Sequence, residues 1–259
     1  MSRLGPQNFD AADAVQIMDV DLDRRETAGA PPRADRPPVP PYLNEVYWWA
    51  YVHPKAVRFF ERQWIVNLIL WGNYDRLSNA AQAALGTELP GRTLQIACAY
   101  GDFQTVLAER AAASGGALDV VDVLPVQLDN LKSKLPAGAP VRLLNMDAGD
   151  LHLADASYDR AVLFFLLHEE PADYRRRTLA EVFRVVKPGG TIVIVDYARP
   201  AWWSPYRYLF RPVLALLEPF ALDLWRADLS EWMPEPWKSA PKTRTSFFGG
   251  LYQKLVITR

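Results

Sequence analysis

Cysteine is nearly missing from this 259-residue chain. Cys98 stands alone, which excludes an intramolecular disulfide and fits a reducing compartment. No apolar run reaches the roughly 18 residues that a membrane-spanning helix needs. The N-terminus has no apolar core of the signal-peptide kind. Asp10, Asp13, Asp19, Asp21 and Asp23 also set it apart from acid-poor transit peptides. Neither sign of charge dominates: 29 basic and 30 acidic residues leave a net charge of −1, so nothing points to a nucleic-acid partner. Tryptophan is missing from the middle. Of nine, four precede Gly72 and five follow Ala201.

The chain is half hydrophobic, enough for one full core with additions. Residues 1–41 are polar and end in a proline cluster, which predicts a disordered leader with a helical turn near Ala11–Met18. Residues 42–90 form an aromatic and helical cap. In it, Pro54 opens a helix expected to run to Trp71, with Lys55, Arg58 and Arg62 on one face. That helix either packs on the core or lies at a lipid interface. Residues 91–259 read as an α/β domain with a Trp-rich insertion at 198–240.

Within 92–197, strands and helices alternate, so the sheet is mostly parallel with right-handed crossovers. Strands are expected at Thr93–Cys98, Leu118–Val123, Val141–Leu144, Arg160–Phe165 and Thr191–Asp196. Helices are expected at Asp102–Ala113, Pro125–Leu135, Tyr174–Val186 and, in the insertion, Tyr206–Leu217. Residues 246–258 read as two closing strands joined at Gly249-Gly250, which brings the sheet to seven.

The focus is R-T-L-Q-I-A-C-A-Y-G-D at Arg92–Asp102, a strand, a tight turn and a helix start. A common cofactor-binding turn would read acidic-x-Gly-x-Gly-x-Gly. Here Gln95 replaces the acid, Ala97 and Ala99 replace two glycines, and Gly101 remains. Asp122 ends the second strand, where a carboxylate can accept both ribose hydroxyls. Asp147 follows the third strand in N-M-D-A-G-D; it either meets a ligand or closes its own turn. His168-Glu169 follow the fourth strand, at the edge where open α/β sheets bind ligands.

The turn, Asp122, Asp147 and the later K-P-G-G resemble the class I S-adenosylmethionine-dependent methyltransferases. That resemblance implies a Rossmann-like fold with helices on both faces of a mostly parallel seven-stranded sheet. It also implies a cofactor site at Gln95, Ala97, Ala99, Tyr100, Gly101, Asp122, Val123, Asp147 and Ala148, with Asp147 accepting from the adenine amine.

A closer resemblance covers the chain after residue 40. It rests on Y-W-W-A-Y-V-H-P-K-A-V-R-F-F-E-R-Q-W (47–64), N-L-I-L-W-G-N-Y (67–74), A-C-A-Y-G-D-F (97–103), L-D-V-V-D-V-L-P-V-Q-L (118–128) and L-F-F-L-L-H-E (163–169). These segments are similar to the rhodoquinone-biosynthesis family RquA. The resemblance implies conversion of ubiquinone to rhodoquinone, with a ring methoxy group replaced by an amino group, S-adenosylmethionine as amino donor and a divalent metal, Mn2+, assisting. A polyprenyl quinone lives in the bilayer, and with the two Trp-rich flanks and a leader unlike a transit peptide this leads us to expect a peripheral place on the cytoplasmic face of a bacterial inner membrane, with no required protein partner evident.

On that reading Gln95, Tyr100 and His168 are candidate catalytic residues. Gln95 in place of a carboxylate would leave the donor amine unprotonated and nucleophilic. Tyr100 either hydrogen-bonds the quinone or covers the cofactor. His168 polarises the quinone, shuttles a proton or ligates the metal, unless it is structural. Tyr197, Trp202 and Trp203 are expected near the quinone ring. Asp147, His168, Glu169 and Asp196 converge too loosely to define a metal ligand set. The alternatives are a conventional methyltransferase acting on a quinone or lipid, and a non-catalytic scaffold.

Overall fold

A computed structural model describes residues 37–235 and 237–259. The expected leader, with its helical turn, lies outside the described residues up to residue 36. Seven strands form one sheet in the order β3-β2-β1-β4-β5-β7-β6. The parallel part comprises β1 (Arg92–Ile96), β2 (Ala117–Asp122), β3 (Val141–Asn145), β4 (Tyr158–Phe164) and β5 (Val186–Tyr197). The antiparallel edge is β6 (Lys242–Phe247) and β7 (Tyr252–Thr258). Ala161, Val162 and Leu163 of β4 and Ile192 to Val195 of β5 are fully buried. A sheet covered on both faces needs such unbroken apolar runs.

Nine helices are described: α1 (Pro41–Glu45), α2 (Pro54–Phe60), α3 (Gln63–Ile69), α4 (Tyr74–Ala84), α5 (Phe103–Ala113), α6 (Pro125–Lys134), α7 (Ala172–Val185), α8 (Pro205–Leu217) and α9 (Asp223–Arg226). α4 packs on β5 and β7, α5 on β2, α6 on β2 and β3, and α7 on β5. The strand order reverses between β1 and β4. Ligands of open α/β sheets bind at the carboxyl ends of strands at such a switch point.

Several expected boundaries move for physical reasons. β1 stops at Ile96 because Ala97 turns into the left-handed region at φ 63°, and the Cys98 amide then donates to Asp122 Oδ2 at 2.8 Å. The helix expected over 54–71 breaks at Arg62, whose backbone is extended. There Glu61 turns inward, accepting from the Gly101 amide at 3.2 Å, Asn130 Nδ2 at 2.7 Å and Lys134 Nζ at 2.5 Å. Three inward hydrogen bonds outweigh one more helical turn. α4 has no counterpart among the expected helices. K-P-G-G lies inside β5 rather than ahead of it, as α7 runs straight into the strand. The closing turn needs glycine at 249: φ is +61°, and a Cβ would stand 2.2 Å from the Tyr206 ring.

Arg175 of α7 ties the domain to its insertion. It is fully buried and donates to the carbonyls of Leu167 (2.8 Å), Glu170 (2.7 Å) and Phe220 (3.2 Å), while its guanidinium lies 4.6 Å from the Trp232 ring centre. Replacing it by leucine strands two buried carbonyls and a part-buried one. Arg175→Leu is expected to cost at least about 3 kcal/mol, read as a lowered denaturation midpoint in urea.

Candidate active site

Two cavities meet at the switch point. The first is a small cleft that gathers four carboxylates, lined by Ala97 and Cys98 after β1, by Asp122 and Val123 at the end of β2, by Asp147 and Ala148 after β3, and by Glu169 and Glu170 after β4. Asp122 is held from below: its Oδ2 accepts from the Cys98 amide and its Oδ1 from the Leu124 amide, both at 2.8 Å. Burial pushes its carboxyl up to about 6 despite those bonds. Asp147 uses Oδ1 to accept from the Gly149 amide at 2.8 Å. Beside it, Glu170 is buried with Oε2 unpartnered. An orphaned buried acceptor next to two strand-end carboxylates suits a nucleoside that brings hydroxyl and amine donors. The space left is about 60 Å3, far below the ~300–1,000 Å3 of most ligand pockets. Tyr42 and Leu43 of α1 fill the outer side.

The second cavity is apolar and encloses about 500 Å3. Trp49, Phe60, Leu70 and Trp71 from the cap and Phe210, Leu214 and Leu217 from α8 wall it. Its floor carries His168, Tyr197, Glu169 and Glu218. Tyr51, Cys98, Phe165 and Glu169 line both cavities. Ala97 and Phe165, which follow β1 and β4 across the switch point, both hold left-handed backbones, with φ of 63° and 59°. Such strain collects where a fold holds a site in place.

Glu169 is the ionisable hub of the junction. Tyr51, set in a π-helical turn at Trp48–Val52, donates its hydroxyl to Glu169 Oε1. His168 Nε2 stands 3.8 Å from Glu169 Oε1 and 3.9 Å from Glu218 Oε2, and its Nδ1 lies 3.0 Å from Asp196 Oδ1. Burial pushes the Glu169 carboxyl up to about 8, against the pull of His168. Burial works to lower His168, but Asp196, followed by Glu218 and Glu169, wins and raises it to about 9. Glu218 is likewise raised by burial. Burial and Asp122 push the Cys98 thiol up, so it is no thiolate nucleophile.

Of the residues expected at the cofactor, Ala97, Asp122, Val123, Asp147 and Ala148 line the cleft. Ala99 and Tyr100 line the apolar chamber with His168 and Tyr197. Gln95 reaches neither. It is fully buried, and its Nε2 donates to the Ala97 carbonyl at 3.1 Å, so the amide braces the turn from inside. Gly101 also reaches neither. Its φ is +87°, and a Cβ would sit 2.6 Å from Tyr74 Oη and 2.8 Å from Gln63 Oε1, so the glycine answers to packing. The Tyr100 hydroxyl donates to the Ala50 carbonyl at 2.7 Å and accepts from Gln127 Nε2 at 3.0 Å. That leaves its ring, not its hydroxyl, facing the chamber. Trp202 and Trp203 are 75% and 71% exposed and line neither cavity.

Tyr51 and Glu218 were not foreseen, because they come from the cap and the insertion and carry no local motif. Asp147 does not join the His168 cluster. Among the described residues, no group of three or more His, Cys, Asp or Glu side chains could hold a metal ion. The expected divalent metal therefore has no preassembled ligand set among the described residues.

A mostly parallel sheet with this strand order and an antiparallel edge, an aspartate ending β2 and another following β3 defines the class I methyltransferase architecture. A profile described as a methyltransferase domain matches residues 93–190. A demethylmenaquinone methyltransferase of Deinococcus radiodurans is 32% identical over 209 residues, 74% of this chain and 83% of the relative. One of Thermus thermophilus is 34% identical over 132 residues, 49% of this chain and 58% of that relative. The chain thus spans little more than half of the Thermus protein. In fold, it is similar to the N-methyltransferase NodS of Bradyrhizobium japonicum solved with S-adenosyl-L-homocysteine, with a TM-score of 0.51 at 15% identity over 72% of this chain and 86% of the other. The chain belongs to the S-adenosylmethionine-dependent methyltransferase family and is homologous to its demethylmenaquinone methyltransferases.

Gln95→Glu buries a carboxylate in place of a bonded amide and is expected to cost about 2 kcal/mol or more, read by chemical denaturation. The pH dependence follows from the hub. Unfolded, Glu169 titrates in the ordinary carboxylate range and His168 near 6.5. Folded, they titrate at about 8 and about 9, so between those limits the folded state holds more protons than the unfolded. Their contribution is present at low pH and is lost as pH rises through the folded values. The melting temperature is expected to fall from about pH 6 to about pH 9, and Glu169→Gln to flatten that slope.

Proposed function

We propose that this chain uses S-adenosylmethionine to modify the ring of a polyprenyl quinone drawn from the cytoplasmic face of a bacterial inner membrane. The observation that carries the reading is the junction, where a carboxylate-lined cleft and a 500 Å3 apolar chamber share Tyr51, Cys98, Phe165 and Glu169. The demethylmenaquinone methyltransferases among the relatives support a quinone substrate and a methyl group as the one transferred.

When bound, S-adenosylmethionine supplies a sulfonium whose methyl group is open to attack. Asp122 accepts from the ribose hydroxyls, and Asp147 with Glu170 accepts from the adenine amine. The chamber excludes water and holds the isoprenoid end of the quinone, leaving the ring against Tyr197 and His168. Glu169 takes the proton that a quinol hydroxyl loses as the ring becomes nucleophilic. Burial and Tyr51 fit it for this by setting its proton affinity near neutral pH. His168, held charged by Asp196, stabilises negative charge on the ring oxygen.

A second reading is amino transfer, giving an aminoquinone such as rhodoquinone. One observation favours it. At the end of β1, where a carboxylate would fix the ammonium of the donor, Gln95 is turned inward onto the Ala97 carbonyl. Ala97 and Ala99 add methyl groups where the backbone usually comes close.

Glu169→Gln is expected to lower kcat on a short-chain quinol by about 10²–10⁴-fold, with cofactor binding retained in calorimetry. The product separates the readings. With S-adenosylmethionine carrying 15N at its α-amino group, mass spectrometry is expected to find a methylated quinone and S-adenosylhomocysteine if the methyl moves. Label in the ring would establish amino transfer. Neither product, with no cofactor binding, would leave a scaffold.

A further inference from the structure

Among the described residues, thirteen large apolar side chains are exposed, and all thirteen lie in 48–71 or 202–217. The rest of the domain exposes none of comparable size. The two segments are one surface: Trp71 packs edge-on against Phe210 with ring centres 4.9 Å apart. The surface is also a rim, since Trp49, Leu68, Ile69, Trp71 and Leu217 are exposed and line the apolar chamber. α3 buries Ile65 and Val66 yet exposes Trp64 and Leu68, and α8 buries Phe210 and Leu214 yet exposes Leu209 and Leu216. Each helix is apolar on the side that its own core does not use. Patches of this size mark interaction sites.

The charges on the same segments have one sign. Lys55, Arg58, Arg62 and Arg211 are exposed, and Arg207 is half-buried. The only acid in these stretches is Glu61, which is turned inward onto Lys134. This local excess stands against a chain whose net charge is −1.

We infer that these two segments dock on an anionic lipid bilayer, with the chamber opening onto the acyl region. Aromatic and aliphatic side chains enter the interface while the arginines meet lipid phosphates. The other candidate occupant is a second copy of this chain. A twofold contact would set the cationic patch against itself, which like charges oppose, whereas anionic headgroups complement it. The inference deepens the quinone reading by naming where that substrate is met. It is measured without turnover, so the two fail separately: protein that floats with vesicles but modifies no quinone would sink only the quinone reading.

The test is flotation of the full chain with vesicles of phosphatidylcholine, with and without phosphatidylglycerol. Binding is expected to phosphatidylglycerol vesicles, weaker to phosphatidylcholine alone, and to fall with added salt. Arg58→Gln and Arg211→Gln are each expected to weaken it about fivefold. Trp64→Ser with Leu216→Ser is expected to abolish it while leaving the melting temperature and turnover of a short-chain quinol unchanged. No flotation with either vesicle would overturn the proposal. So would a dimer in light scattering that Trp64→Ser/Leu216→Ser converts to monomer, because the surface would then belong to a second copy.

Discussion

The Asp196 carboxylate is the pin on which the site depends. It lies next to the last residue of β5, fully buried, with Oδ2 accepting from the amides of Leu167 (2.8 Å) and His168 (3.3 Å) and Oδ1 from that of Tyr197 (2.7 Å). The same Oδ1 faces His168 Nδ1. One side chain thus fixes the loop after β4, the end of β5 and the tilt of the imidazole. Buried anions survive when they are this fully bonded. The orientation of His168, and through it the spacing of Glu169 and Glu218, follows from that pin.

Around the pin, the fold accumulates more negative charge than it neutralises. One imidazolium serves Asp196, Glu169 and Glu218, and burial answers by raising the proton affinity of the two glutamates. Tyr51 supports Glu169 from the cap, and the Tyr47 hydroxyl is raised by burial with Glu218 next to it. The cap therefore supplies part of the polar site as well as apolar walls. Its tie to the domain runs through Glu61 and Lys134 and through Tyr100 and Ala50, which place the π-helical turn above the switch point.

Much of the fold is legible in the chain, since β1, β2, β4 and β5 are apolar runs between turn signals and a sheet buried on both faces requires that pattern. Asp122 and Asp147 are legible because strand ends place them. α4 is not, as Y-D-R-L-S-N-A-A-Q-A-A is too poor in large apolar residues to announce a buried helix. The break at Arg62 is set by Glu61 reaching partners distant in sequence, which no local pattern carries. The same holds for Gln95, whose strand is buried on both faces, so alternation cannot tell which way the amide turns. The Glu218 carboxylate belongs to the site only because Arg175 holds the insertion against α7.

α1, the π-helical turn and α2 are consecutive, and each borders a cavity: Tyr42 closes the nucleoside side, Tyr51 stands at the junction and Phe60 walls the chamber. α1 is joined directly to the segment that shapes the chamber. The two cavities therefore share one continuous stretch of wall, so a ligand that displaced α1 would be felt at the chamber.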